Sequence, residues 1–464
     1  MRKGPYMTFM NEKLEKQTNN IKQVSFFESQ DHIYEEIYDL MLTPEYQFIA
    51  YTKRDKNIFC TDEIQLENGK KLLPNKTDLI ENKVILLPSE ALEFESEQKL
   101  LEEIKLFIHK YLDIPSFYEN LSAHYILMSW VFDRLSGVPY LRALGDYGVG
   151  KTRFIQTVGS LCYKPMFLAG ATSDAYLFRV IELFGGTLVI NELERVNTDL
   201  QSQIVNILNN GYEKGMSVGR IEGERKREPR TFNVFCPKVI STRKKFNDQA
   251  LESRIITIPM QTTKRKDIPP FISESFWDEA QNIRNKLLMY RFKHFDDLLW
   301  NNMFGGKNTE KLDLLEPRLR QTLLPIFYVI SDTKIEDEFI SYALDFQKQV
   351  FNDRSLEVTG LVFEKLYNLY QNNRGKVPVK DVAESVNTEI ENEKYKLTSH
   401  KVGKIIREEL GFKTQKGSGG LYFVIFSEEK INYLVSRYGI ESPQSPSSPS
   451  SDTASREDSS DLVD

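Results

Sequence analysis

The residues best suited to chemistry form one run, Gly145-Asp146-Tyr147-Gly148-Val149-Gly150-Lys151-Thr152. The spacing is that of the phosphate-cradling P-loop, G-x-x-x-x-G-K-[ST]. Its glycines let successive backbone N–H groups turn toward an anion, and a helix starting at the loop's end adds positive potential there. In that pattern Lys151 reaches the β- and γ-phosphates of a nucleotide, and the Thr152 hydroxyl takes a place on Mg²⁺. ATP and Mg²⁺ are therefore the expected cofactors. A chance glycine-rich turn is the competing reading, and the flanking sequence argues against it.

Those flanks are the elements that must hold the loop. Val138 to Leu144 is a short apolar run, the signature of a buried parallel strand, and Arg153 to about Leu161 continues in helical spacing. Further on the pattern alternates. Strands are expected at 165–169, 186–192, 237–242 and 254–258, and helices at 172–184 (capped by Thr172 or Ser173) and 198–210. Strands alternating with helices imply an α/β doubly wound sheet with its ligand at the carboxyl ends of the strands.

A nucleotide site of this kind pairs its P-loop with an acidic strand end. Here the strand ends Asn191-Glu192. Glu192 is placed to orient an attacking water, but the residue expected to share Mg²⁺ with Thr152 is the amide Asn191. An amide brings no charge to the ion. At an effective dielectric of roughly 20, a charge about 4 Å away is worth on the order of 4 kcal/mol. Weaker Mg²⁺ handling and slow turnover are the expected consequences, with Glu194 as the nearby carboxylate available to compensate.

Composition sets outer bounds. The chain has 464 residues, 28% charged and 40% hydrophobic, with a net charge of −6. That balance fits a globular protein and argues against coating nucleic acid through bulk charge, though not against a local basic patch. Cys60, Cys162 and Cys236 have no paired spacing, so neither a disulfide framework nor a zinc site is expected. No secretory signal core and no bilayer-length apolar run is visible, which leads to the expectation of a soluble, cytoplasmic protein without membrane partners. Trp130 and Phe132, in a helix expected over 118–135, read as core.

In order and spacing, Gly145 to Thr152, Asn191-Glu192, the polar strand end Ser241-Thr242 and Leu251-Glu252-Ser253-Arg254 resemble the AAA+ ATPases. The branch is the replicative-helicase and initiator type of mobile elements, and the resemblance covers about Leu100 to Pro325. It implies that Thr242 (or Ser241) senses the γ-phosphate and that Arg254 is an arginine finger offered to a neighbouring subunit's ATP. It also implies a helical lid in which Arg318 or Arg320 approaches the nucleotide from above, and a hexameric ring of identical subunits. Between Val218 and Phe235 two β-rich runs flank a charged turn. Its position matches the pore hairpin of superfamily 3 and minichromosome-maintenance-like helicases, so Arg225, Lys226 and Arg227 are either DNA grips or a solvated cluster.

The remaining sequence divides into a small N-terminal α+β segment (1–95), the ATPase core with its leading helices (96–262), the lid (263–350), a further domain (351–430) and a C-terminal segment (431–464) whose Ser/Pro/Asp-rich tail beyond Glu441 is expected to be disordered. Residues 355–426 read as three helices and a hairpin and look like a winged helix. His400, Lys401, Lys404 and Arg407 share a face of the third helix, and Lys413 and Lys416 lie on the wing. These basic residues suit DNA contact, with protein contact as the alternative. The combined expectation is an ATP-dependent DNA helicase or translocase in mobile-element replication. Its rivals are a nucleotide-switched DNA-binding ATPase that does not unwind and an ATP-dependent scaffold.

Overall fold

The computed structural model describes residues 21–39, 45–168, 174–192, 198–222, 228–295, 309–356, 358–372, 376–389, 396–417 and 420–440. The chain divides into two compact units, Met1–Ala343 and Leu344–Asp464.

The first unit is built on a five-stranded parallel sheet. Its strands are β1 (Tyr140–Leu144), β2 (Met166–Leu168), β3 (Leu188–Ile190), β4 (Lys238–Thr242) and β5 (Ile255–Pro259), in the spatial order β5-β1-β4-β3-β2. All neighbours are parallel, with Thr242 and Pro259 both in register with Leu144. Parallel strands are covered on both faces, which is why these short segments read as continuous apolar runs rather than alternating ones. The connecting helices are α1 (Lys151–Gly159), α2 (Asp174–Phe184) and α3 (Thr198–Asn210). The expected cap residues Thr172 and Ser173 lie outside the described residues. Trp130 and Phe132 are core, and the Trp130 indole N–H donates to the Leu161 carbonyl at 2.8 Å.

The N-terminal segment forms two small sheets. One is antiparallel, Phe26–Glu28, His32–Asp39, Glu45–Thr52 and Ile58–Thr61; the other joins Ile21–Gln23, Lys71–Leu73 and Ile64–Gln65. The β-like run at Lys83–Leu87 belongs to neither. Its backbone instead lies along the sheet edge at β2, where Ile85 bridges Met166 and the Phe167 N–H donates to the Val84 carbonyl. An edge strand covered this way cannot recruit another chain.

A buried ionic cluster ties this segment to the parallel sheet within one unit. Glu35 accepts from Lys164 at 2.7 Å and from Arg291 at 2.6 Å, and Arg291 also pairs with Asp133 at 2.8 Å. Lys164 further donates to Ser25 Oγ, and the Tyr163 hydroxyl to Glu35. Charges this deep are tolerated only when paired and hydrogen-bonded, and here they are. Arg291 lies on α4 (Glu274–His294), so the cluster links three separate parts of the chain.

The second unit holds helices Val358–Asn372, Val379–Asn387 and Ser399–Lys404, the last running on as a π turn at Ile405–Glu409. The antiparallel pair Lys413–Lys416 and Tyr422–Ile425 follows, then helix Glu428–Tyr438. Val362, Phe363, Leu366, Val382, Val402, Ile406 and Val424 form its core. Thr398 caps the third helix, accepting from the Lys401 N–H at 3.2 Å.

Candidate nucleotide site

β1 delivers the P-loop at its carboxyl end, between β4 and β5. The loop is pinned where the Gly145 N–H donates to the Thr242 carbonyl. A Cβ on Gly145 would lie 2.8 Å from Val149 Cγ2 and 3.0 Å from the Met260 carbonyl, so only glycine fits. Gly148 and Gly150 have φ of 76° and 86°, the left-handed region open to glycine. α1 starts directly from Gly150 and points its N-terminus into the loop. Lys151 is buried, and its ammonium donates to the Asp146 carbonyl at 2.6 Å. A phosphate oxygen would take the place of that carbonyl. The cradle thus fits a nucleotide's phosphates on its own geometry.

On the adjoining strand ends, one hydrogen-bond chain orients the Asn191 amide. The Glu192 N–H donates to Ser241 Oγ at 2.9 Å, and the Ser241 hydroxyl donates to Asn191 Oδ1 at 2.9 Å. Thr152 Oγ1 lies against the same amide, 3.4 Å from Asn191 Nδ2 and 3.5 Å from its Oδ1. Glu192 adopts φ of 49°, unusual for a side-chain-bearing residue, at the point where the chain turns out of β3. Among the described residues no group of three His, Cys, Asp or Glu side chains could hold a metal. A Mg²⁺ arriving with the nucleotide would keep phosphate and water oxygens as its main ligands. Thr152 would be its protein contact.

The same chain sorts Ser241 from Thr242. Ser241 touches both Asn191 and Glu192, whereas Thr242 Oγ1 is buried with no hydrogen-bond partner among the described residues. Successive residues of a strand face opposite sides of the sheet, so the two side chains take different surroundings. Of the two, Ser241 is the residue the structure brings to the site.

Arg254 lies at the opposite edge of the sheet. Its carbonyl accepts from the Tyr140 N–H at the start of β1, and its guanidinium donates to Asn209 Oδ1 at 2.7 Å. The five residues of β1 separate it from its own P-loop by roughly 16 Å at the rise of a strand. Its base is rigid, because Glu252 is clamped by the fully buried Arg142 of β1 at 2.7 Å. Arg318 is at this edge too, on α5 (Pro317–Phe327), donating to Ser253 Oγ at 3.1 Å. Arg254 and Arg318 both lie over the Tyr212 ring, at 5.6 and 5.0 Å. Burial pushes the Tyr212 phenol above its ordinary range, so the ring beneath the two cations is neutral. Arg320, on the same helix, is paired with Asp313 of the preceding 3₁₀ turn Thr309–Leu314. Arg318, one of the two arginines expected to approach the nucleotide from above, is thus placed by Ser253 and Tyr212. Helical spacing shows which face of α5 is apolar, but not which edge of the sheet it meets.

Motif spacing gave no role to Arg243. It follows β4 directly, and its guanidinium lies 3.5 Å from the centre of the Tyr147 ring in the P-loop. The sequence signal for it is the basic run Arg243-Lys244-Lys245 immediately after the Ser241-Thr242 strand end.

Of the residues expected to touch DNA, Arg225, Lys226 and Arg227 lie outside the described residues. The strands below them, Ser217–Glu222 and Glu228–Asn233, do form an antiparallel hairpin in register Arg220 to Arg230. Its base is held by Phe232 against Phe178 of α2 and by Arg230 paired with Glu182. The buried Lys238 at the start of β4 donates to the carbonyls of Gly211, Val234 and Cys236. It therefore fixes the end of α3 and the exit of the hairpin to β4. In the second unit His400, Lys401, Lys404, Arg407, Lys413 and Lys416 are all exposed, and Lys404 is 3.7 Å from Glu408.

No family model matches the chain, and no curated protein matches it. Solved structures similar to parts of it include the apo C-terminal region of NrS-1, at 11% identity and a TM-score of 0.36, covering 84% of this chain and 96% of that one. JCV helicase is similar at 15% identity and a TM-score of 0.27, covering 50% of this chain and 66% of that one. At these scores the likenesses carry no functional argument, and the nucleotide site stands on its own geometry.

Proposed function

We propose that this chain is a P-loop ATPase that uses nucleotide turnover to move on or unwind DNA as a ring of identical subunits. The observation that carries the reading is the division of the site between two edges of one sheet. Lys151, Thr152, Asn191, Glu192 and Ser241 gather at the carboxyl edge, while Arg254 and Arg318 sit a strand's length away on a rigid base. A guanidinium so placed serves a nucleotide only across a subunit boundary, and a closed ring gives every P-loop such a neighbour. A hexamer acting in replication of a mobile element follows from the family resemblance.

The second unit supplies the DNA contact in this reading. Its three helices and hairpin are taken as a winged helix, with Lys401, Lys404 and Arg407 on the third helix and Lys413 and Lys416 on the wing. Replacing Lys401, Lys404 and Arg407 with Gln should weaken duplex binding and make its salt dependence shallower, by roughly 0.9 for each phosphate no longer neutralised. ATP-dependent strand displacement should fall with it. An unchanged salt slope would remove the DNA role from this face and favour protein contact. A parent chain that hydrolyses ATP and binds DNA, yet displaces no strand, would favour a nucleotide-switched DNA-binding ATPase.

Asn191 is the observation that favours that second reading. Its neutral amide sits against Thr152, with both Nδ2 and Oδ1 within 3.5 Å of the hydroxyl, where an acid would bring charge to the ion. In Asn191→Asp, one carboxylate oxygen can still accept from Ser241 while the other faces Thr152. Turnover should rise several-fold and half-saturate at lower Mg²⁺, a change well within the ~4 kcal/mol that a charge at this distance is worth. Measured rates that stay level or fall would mean that the site works around the amide.

A further inference from the structure

The antiparallel N-terminal sheet takes no part in the functions assigned so far, and its two ends differ. At one end the strand Phe26–Glu28 is shielded. The Phe26 ring lies 5.8 Å from that of Phe295, and Glu28 pairs with Lys53 at 2.6 Å and Arg134 at 2.7 Å. At the other end the strand Ile58–Thr61 lies open among the described residues, with Ile58 37% exposed, Phe59 43% exposed and Cys60 exposed as well. Its residues, Ile-Phe-Cys-Thr, include neither charge nor proline, the usual guards of an open edge. The strand also offers main-chain groups. The Asn57 carbonyl accepts from the Thr52 N–H at 2.8 Å, and bonded positions alternate along an antiparallel ladder. Phe59 and Thr61 therefore bond inward to the neighbouring strand Glu45–Thr52, whereas Ile58 and Cys60 turn their N–H and C=O outward. The charges flanking the strand are opposite in sign. Lys56 precedes it and has no acidic partner among the described residues, and Asp62 follows it and accepts from the neutral Gln47 amide at 2.9 Å. An edge with a cation at one end and an anion at the other is its own complement when turned through half a circle.

We propose that Ile58–Thr61 is the edge by which two copies of this chain pair, antiparallel about a two-fold axis at Phe59. In that register Phe59 meets the Phe59 of a second copy. Ile58 and Cys60 exchange N–H···O=C bonds on both sides of the axis, and Lys56 stands opposite Asp62 twice. Two four-stranded sheets become one sheet of eight strands, within the ordinary range. The contact is isologous, with the same patch on both copies. It is thus separate from the head-to-tail contact that Arg254 requires, and it does not rest on the P-loop reading.

The test is sedimentation velocity of the full chain over a concentration series, without nucleotide and in reducing buffer, with each variant checked for folding by its thermal midpoint. Cys60→Pro removes an outward N–H, a change that an edge strand tolerates. It should weaken self-association roughly tenfold or more, because each pairing loses two main-chain bonds. Lys56→Glu alone and Asp62→Lys alone each set like charges opposite one another, and each should weaken association roughly tenfold. An equimolar mixture of those two variants should regain the parent's association, since every mixed pair again joins opposite charges at both ends. A docking site for another protein's strand would show no such recovery. Should Cys60→Pro not fold, the two charge variants and their mixture decide the matter. A parent whose sedimentation none of the folded variants changes, whether it is a monomer or a ring, overturns the proposal. A loss that mixing does not repair overturns it too. Neither outcome bears on Lys151 or Arg254, which take no part in this edge.

Discussion

Lys151→Ala should reduce ATP binding or turnover by roughly 10²- to 10³-fold, the cost of removing one preorganised donor from a charged site. The loss should come without unfolding. Although Lys151 is buried, its ammonium bonds to the carbonyl of Asp146 in the same loop, and it forms no ion pair with a core carboxylate among the described residues. Truncation therefore leaves no unpaired buried charge behind. The loop itself is set by Gly145, Gly148 and Gly150, which the substitution does not touch. The measurements are nucleotide affinity, steady-state hydrolysis and thermal midpoint on the same preparation. A folded Lys151→Ala chain that binds and hydrolyses ATP like the parent would remove the P-loop assignment.

The other large effect concerns Arg254. Its truncation should lower turnover by about 10³- to 10⁵-fold, the range for an arginine supplied to a transferring phosphoryl group. Nucleotide binding should suffer far less, because the guanidinium is a full strand length from its own P-loop. A mixing experiment identifies the route. In a ring assembled from Arg254→Ala and Lys151→Ala subunits, some interfaces join an intact P-loop to an intact arginine. Those interfaces should restore hydrolysis that neither variant shows alone. Co-assembled rings without any recovery would assign Arg254 to holding Asn209 and Tyr212 in place. Arg318 shares Tyr212 and Ser253 with this corner, so its truncation should follow Arg254 in direction. The two effects should not add, since residues with shared partners couple.

How much of this is legible in the sequence depends on how local the cause is. The P-loop can be read because eight consecutive residues carry it, and its glycine conformations depend on their own backbone. The parallel sheet can be read because strands buried on both faces leave an apolar run in the sequence. Helix ends set by a single side chain, such as Thr398 capping the third helix of the second unit, are legible for the same reason.

The rest is decided at a distance. Residues 256 apart in the chain, Glu35 and Arg291, share a buried bond, and no pattern in either segment announces it. The identity of the residue at the site, Ser241 rather than Thr242, turns on which face of the sheet each side chain of β4 takes. A one-residue change of register reverses that face. Arg318 meets Ser253 and Tyr212 because of the edge of the sheet that α5 covers, and a helical pattern reports only an apolar stripe. Arg243 carries no motif role in the sequence, and only β4 delivers it onto Tyr147. Sequence by itself determined the chemistry available to this protein: a phosphate cradle, an amide where an acid is expected, and arginines in reserve. Tertiary structure decided which of those groups share a site, because strand order and facing are fixed by burying apolar surface across the whole unit, and charged side chains go where that packing carries them.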